Sequence, residues 1–425
     1  MTEFSKSTSI EPQAFASLAL SPQIVRAVQE KNYTAPTPIQ SAVIPGVLKG
    51  RDVWACAHTG SGKTAAFALP LLQRHSEAGR ARPRRVRSLI LVPTRELAAQ
   101  IGASIESYAR YLPDAIKVAV VFGGVSINPQ MMALRGSADV VVATPGRLLD
   151  LVEHNALSLQ SVATLVLDEA DRLLDLGFAD ELAKVLSLLP ERRQNLLFSA
   201  TFPPAVNALA EILLRDPLRV DVPSTPATVP DIDQRAIQVD APRRTQLLLR
   251  LIREYSWTRV LVFVATKYST EHVAEKLRRA GIKAAAIHGE LSQGARTRAL
   301  ADFKAQELQV LVATDLAARG IDIMSLPAVV NYDLPRSTDD YVHRIGRTGR
   351  AGQSGVAVSF VSAGTESHFR LIEKRHRMTL PREIVPGFEP VQTTAPIASS
   401  PGATNGGIKG KRKSKKDKLR EQGLK

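Results

Sequence analysis

At 425 residues the chain is longer than one ordinary domain and points to two or three. Its 44% apolar and 23% charged residues are the balance of a soluble globular protein, and no apolar run approaches the ~18 residues of a membrane-spanning helix. The net charge of +15 suggests a polyanionic partner, while the single cysteine, Cys56, excludes an intramolecular disulfide framework and fits a reducing cytosol.

Taken in order, residues 1–13 lack the apolar core of a secretory signal. Short β-branched runs then alternate with helical stretches. In the first half the runs are 52–57, 88–93, 117–122, 139–144, 164–168 and 195–199. Runs that are continuously apolar belong to strands buried on both faces, hence to parallel sheets covered by helices. The first run leads into Ala57-His58-Thr59-Gly60-Ser61-Gly62-Lys63-Thr64 and a helix over 65–73. Strand, glycine-rich loop, Lys-Thr and helix are the context of a P-loop. Its backbone N–H groups turn onto phosphate oxygens, its lysine reaches the terminal phosphates, and its threonine hydroxyl meets Mg²⁺. Ala57 stands where the usual pattern begins with Gly. The run 164–168 ends in Asp168-Glu169-Ala170-Asp171. Alone, this is an acidic turn; behind a buried strand in a P-loop chain it places Asp168 at the Mg²⁺ and Glu169 beside the attacking water.

Residues 217–230 carry four prolines and read as a linker. The second half repeats the pattern with runs at 259–266, 283–288, 309–314, 328–332 and 356–361. After Pro390 the composition turns to Pro, Ser, Thr, Gly and Ala. Residues 409–425 then hold nine Lys or Arg against two Asp or Glu. That tail reads as disordered, serving either to tether the polyanionic partner or to keep the protein soluble. The arginine-rich loop 80–87 is read two ways as well, as a contact to that polyanion or a solvated surface. The division expected is an extension 1–14, a first domain 15–216, the linker 217–230, a second domain 231–390 and the tail 391–425.

Together the motifs over residues 15–386 resemble the DEAD-box RNA helicase family, which implies an α/β fold of two tandem RecA-like domains. Thr37-Pro38-Ile39-Gln40 resembles the adenine-reading Q motif, since an amide both donates and accepts. Phe15 sits where the family stacks an aromatic on adenine, and Asn32 stands where it has Gly, a change that left-handed backbone tolerates. The resemblance assigns RNA contacts to Arg95, to Gly123 and Gly124, and to Thr144 and Arg147. Ser199-Ala200-Thr201 would link the acidic motif to RNA. In the second half it gives Thr266, Gln293, Arg296 and Thr314 to RNA, and Gly320 and Asp322 to the nucleotide, Asp322 at its ribose. Arg347 and Arg350, from His343-Arg344-Ile345-Gly346-Arg347-Thr348-Gly349-Arg350, would be arginine fingers on the γ-phosphate. Asp171-Arg172-Leu173-Leu174-Asp175-Leu176-Gly177-Phe178 and the basic tail look most like the bacterial RhlE-type subgroup.

The resemblance implies ATP and Mg²⁺ as cofactors, RNA bound without sequence preference, and local strand separation as the domains close. A cytoplasmic monomer is expected, with ribosome assembly, RNA decay and cold adaptation all open as settings. Two rivals are a DNA-translocating helicase, opposed by Gln40 with residues 168–171, and an RNA scaffold without turnover, opposed by Glu169, Arg347 and Arg350.

Overall fold

The computed structural model describes residues 14–57, 60–222, 232–318, 323, 326–349 and 354–391. The expectations for His58, Thr59, Gly320, Asp322, Arg350, most of the linker and the tail lie outside these residues. Two seven-stranded sheets form the framework. The first contains β1 (Val53–Cys56), β2 (Ser88–Leu91), β3 (Val118–Val121), β4 (Val140–Ala143), β5 (Thr164–Leu167), β6 (Gln194–Ser199) and β7 (Leu218–Asp221). The second contains β8 (Ile232–Gln238), β9 (Val260–Phe263), β10 (Ala284–Ile287), β11 (Val310–Ala313), β12 (Ala328–Asn331), β13 (Gly355–Val361) and β14 (Arg382–Glu383).

Their orders are β3-β4-β2-β5-β6-β1-β7 and β10-β11-β9-β12-β13-β8-β14. Adding seven to each strand number of the first gives the second, so the two halves share one topology. Neighbouring strands pair in parallel, as β1 with β6 and β9 with β11. Successive side chains leave a strand on opposite faces, and the cores show it. Ile90 of β2 packs with Phe67, Val142 and Phe198 on one side, whereas Leu89 and Leu91 pack with Val141 and Leu165 on the other. Val260 and Val262 of β9 split from Leu261 and Phe263 in the same way. Both faces are covered, as continuously apolar strands require.

All eleven expected strands are present, with ends within three residues of those expected. Three others were not legible. Strand β7 lies inside the stretch read as linker and corrects that reading at its N-terminal end: Pro217 immediately precedes it, where it blocks no ladder hydrogen bond. It is a half-exposed edge strand, and its Arg219 guanidinium lies 4.3 Å from the Trp54 ring centroid. Strand β8 carries polar residues at Asp233, Gln234 and Arg235, and β14 is two residues long. Neither has an apolar run for the eye to find.

The topology gathers the motifs. Residues 60–64 follow the C-terminal end of β1, 94–96 that of β2, 123–124 that of β3, 144–147 that of β4 and 168–171 that of β5. One edge of the first sheet therefore holds them all, the edge at which open α/β sheets bind ligands. Thr266 and Thr314 occupy the same positions after β9 and β11.

Candidate functional site

The loop after β1 turns through Gly60 at φ 81° and Gly62 at φ 96°, values that a side chain resists. It then enters the helix Lys63–Glu77. Lys63 is buried and its Nζ donates to the Ala57 carbonyl at 3.0 Å. The Ser61 hydroxyl is buried with no partner among the described residues. An ammonium and a hydroxyl held this way at a helix N-terminus suit an incoming phosphate. Ala57 does no harm in place of Gly: its methyl is in the core, and its N–H extends the ladder to the Ser199 carbonyl at 3.0 Å.

Gln40 joins this loop directly. Its Oε1 accepts from the Thr37 N–H at 2.9 Å and its Nε2 donates to the Gly62 carbonyl at 3.2 Å. A β-carbon built on Gly62 would meet Nε2 at 2.4 Å, so glycine is needed there for space as well as for its turn. Anchored at both atoms, the amide keeps one N–H and one lone pair for a base edge. Asn32 takes the left-handed conformation expected of it, at φ 59°. Phe15 is found elsewhere than on an open surface. It is 4% exposed, packed in the core with Leu18 and Ile39, so stacking on a base would require its turn, Phe15–Leu18, to shift.

The acidic segment follows β5. Asp168 is buried, and Glu169 sits in left-handed backbone at φ 53°, where its N–H reaches Asp168 Oδ1 at 3.0 Å. A non-glycine residue in this region carries strain of the kind that collects at functional sites. Asp171 ties the segment to the end of β6. Its Oδ2 accepts from the Thr201 N–H at 2.9 Å and hydroxyl at 2.8 Å, and its own N–H donates to Ser199 Oγ at 3.1 Å. The acidic and Ser-Ala-Thr segments are thus joined by three hydrogen bonds.

Burial pushes the Asp168 carboxyl up to about 6, with Glu169 adding to the rise and Lys63 opposing it. The folded-state value lies above the unfolded one near 3.8. The protonated form therefore adds stability at low pH, which is lost as pH rises through about 6. At neutral pH the nucleotide-free protein holds a poorly solvated charge that costs up to about 3 kcal/mol. Asp168→Asn is therefore expected to raise the melting temperature of nucleotide-free protein at pH 7 while abolishing ATP turnover. A melt below that of wild type at pH 7 would contradict this.

The second sheet brings its own groups to the same edge. Arg172, just after the acidic segment, donates to Asp340 Oδ1 at 2.6 Å and to His343 Nδ1. Burial and the Arg172 guanidinium hold the His343 imidazole down at about 4, so it is neutral and can accept. Arg344 is committed inside its own domain. It is bidentate on Asp315 at 2.6 and 2.7 Å and also donates to Asn331 Oδ1 at 3.0 Å. Arg347 is half-buried on the turn after the helix Thr338–Ile345.

Of the residues assigned to RNA, several serve the protein itself. Arg296 is an interface residue in this arrangement, paired with Glu96 at 2.7 Å with the side chains 5% and 9% exposed. It also reaches the His288 and Ala317 carbonyls at 3.4 Å. Beside it Gln293 accepts from Arg95 at 3.4 Å. The Arg95 guanidinium lies against Gly124, where a β-carbon would come within 2.5 Å of it. Arg147 is buried and donates to the Val125 carbonyl at 2.7 Å, which fixes the loop after β3. Thr144 precedes the helix Pro145–Glu153, Thr266 caps Lys267–Arg279 by accepting from the Ser269 N–H at 3.1 Å, and Thr314 accepts from the Ala317 N–H at 3.4 Å. Gly123 has open space where a side chain would begin. Glu96, Arg172, Asp340 and His343 were not singled out for these roles, because no local pattern marks a residue whose partner is more than a hundred positions away.

Comparison with known proteins agrees with this geometry. Residues 37–209 match the DEAD/DEAH box helicase family and 243–352 the helicase conserved C-terminal domain. The chain is 42% identical over 391 residues to the ATP-dependent RNA helicase DeaD of Mycobacterium tuberculosis, covering 92% of itself and 68% of that protein. It is 44% identical over 351 residues to the ATP-dependent rRNA helicase rrp3 of Emericella nidulans, covering 82% and 74%. Among solved structures it is similar to S. cerevisiae Dbp5 bound to RNA and ADP BeF3. That match has a TM-score of 0.76 at 30% identity and covers 87% of this chain and 95% of the other.

Proposed function

Because this chain belongs to the DEAD/DEAH box helicase family, we infer that the edge shared by its two sheets is where ATP and RNA are held together. The protein is an ATP-dependent RNA helicase that unwinds and remodels RNA. In the roles proposed for its residues, Lys63 and the loop N–H groups bind the phosphates, Gln40 reads adenine, and Glu169 orients the water. Arg347 and Arg350 stabilise the charge that develops on the γ-phosphate. The observation that supports this division most is the contact of Arg172 with Asp340 and His343. It brings the segment carrying the arginines against the segment carrying the carboxylates.

Mg²⁺ fits this donor set. Among the described residues no three His, Cys, Asp or Glu cluster to form a protein cage. An ion that keeps its waters and leans on phosphates needs only one or two protein ligands, here Asp168 and the Thr64 hydroxyl. When bound, it would neutralise phosphate charge.

Closure follows from shared contacts. ATP and RNA each touch both domains in this reading, so each favours the closed form and each raises the affinity of the other. Arg95, Gly123, Gly124, Thr144, Thr266 and Thr314 would meet the sugar-phosphate chain, giving binding indifferent to sequence. A cytoplasmic monomer of the RhlE type acting in ribosome assembly or RNA decay is the setting we propose. No helix among the described residues is long and apolar enough to cross a membrane.

The nucleotide assignment is tested at Gln40. Guanine presents a carbonyl where adenine presents an amine, so wild-type protein is expected to prefer ATP over GTP. Gln40→Ala should narrow that gap and weaken ATP use. Equal hydrolysis of both nucleotides by wild-type protein would remove the adenine-reading role.

A further inference from the structure

At the other end of the first sheet lies a cleft of about 990 Å³ that nothing in the helicase cycle uses. Its walls are the residues leading into β2, β4 and β5 together with the helix Asn128–Ala133. It therefore opens at the N-terminal ends of the parallel strands, whereas the nucleotide and RNA segments follow their C-terminal ends. Strands of four residues set the two ends roughly 13 Å apart.

Two chemistries meet in this cleft. Arg85 and Arg135 are exposed on its rim, and neither guanidinium has a hydrogen-bond or ion-pair partner among the described residues. Their neighbour Arg84 is held in place, 2.9 Å from the Asp139 carboxylate and donating to the Ala115 carbonyl at 2.9 Å. Met131 and Met132 also line the cleft, and Met132 is 61% exposed, one of the few large apolar side chains left in solvent. Free guanidinium groups recognise carboxylates or phosphates through paired hydrogen bonds. Methionines adapt their shape to whatever apolar group arrives.

The occupant follows from that combination. No Phe, Tyr or Trp lines the cleft, and His154 is the one aromatic ring on it, so a nucleic acid strand would find charge but little on which to stack successive bases. The chain's own tail at 409–425 is cationic and would be repelled. A concave site of this size, near the upper end of the ~300–1,000 Å³ usual for binding pockets, suits an apolar side chain flanked by carboxylates. We propose that this cleft docks a short acidic peptide segment of a partner protein, anchored by one apolar side chain against the methionine-lined wall and paired with Arg85 and Arg135. A partner held there leaves the catalytic edge open, so it can bring the helicase to a site of action without competing for ATP or RNA.

The test is a selection from a random-peptide phage library with the full-length protein, followed by affinity measurements on the enriched peptides by fluorescence anisotropy. Wild type is compared with Arg85→Glu/Arg135→Glu and with Met132→Ser, all surface changes, and a short oligouridylate is measured alongside. Enriched peptides should carry Asp or Glu on either side of an apolar residue. They should bind on the order of tenfold or more weakly to the charge-reversed protein, as losing about 1.4 kcal/mol implies, and several-fold more weakly to Met132→Ser. RNA-stimulated turnover should be unchanged in both variants. A selection that enriches nothing over a protein-free control would overturn the proposal, as would peptides that bind all three proteins equally. Loss of oligouridylate affinity with peptide affinity intact would assign the cleft to RNA and overturn it too.

Discussion

Glu169→Gln is expected to reduce ATP turnover by about 10³-fold, within the ~10²–10⁴ that a positioned acid–base group contributes, while ATP and RNA remain bound. The substitution preserves size and most hydrogen-bonding capacity and removes only the negative charge. Glu169 is held for this work by its backbone: left-handed at φ 53°, with its N–H on Asp168 Oδ1 and the helix Ala170–Asp175 starting at the next residue. None of those restraints involves the carboxylate, so the fold should tolerate the amide. Fluorescent-nucleotide and RNA binding, read beside single-turnover hydrolysis, separate affinity from chemistry. Turnover within a few-fold of wild type would mean that another group orients the water.

A comparably large effect is expected at Arg296, for a different reason. Its pair with Glu96 is buried between the domains. Removing one partner of a buried pair costs about 3–5 kcal/mol because the other charge is left unpaired. In an open arrangement both groups would be solvated, so the whole penalty would fall on closure. Arg296→Met keeps most of the volume, and RNA-stimulated turnover should drop by about 10² or more at 1.4 kcal/mol per tenfold. Adding Glu96→Gln relieves the stranded carboxylate and should recover much of the loss. If Arg296 instead acted by holding RNA, the second substitution would recover nothing, and the double-mutant cycle tells the two apart.

What could be read from the chain in advance was whatever declares itself locally. Strands β2, β4, β5, β9 and β11 are buried along their whole length and appear as unbroken apolar runs. The P-loop shows because its glycines, lysine and following helix are contiguous. Asn32 was judged correctly because its left-handed backbone is a property of one residue. Edge strand β7 was missed because half-exposed strands carry charge, as at Arg219 and Asp221. The prolines near it in sequence then look like a linker. The pairing of Arg296 was not legible for a further reason: a guanidinium looks alike in sequence whether its partner is a phosphate or Glu96. Sequence distance hides that choice, since the two residues meet only after both sheets have formed and packed. The same holds for Arg172, whose contacts with Asp340 and His343 join segments that share no local pattern.

The most direct measurement is steady-state ATP turnover by the full-length protein with no nucleic acid, with RNA, and with DNA of equal length and sequence. Closure on ATP and RNA together requires turnover to be low alone and to rise with RNA, and selectivity for RNA requires DNA to do little, since only RNA offers 2′-hydroxyls to the backbone-reading surface. Turnover that is equally high in all three conditions, or raised as much by DNA as by RNA, would contradict an RNA-gated clamp.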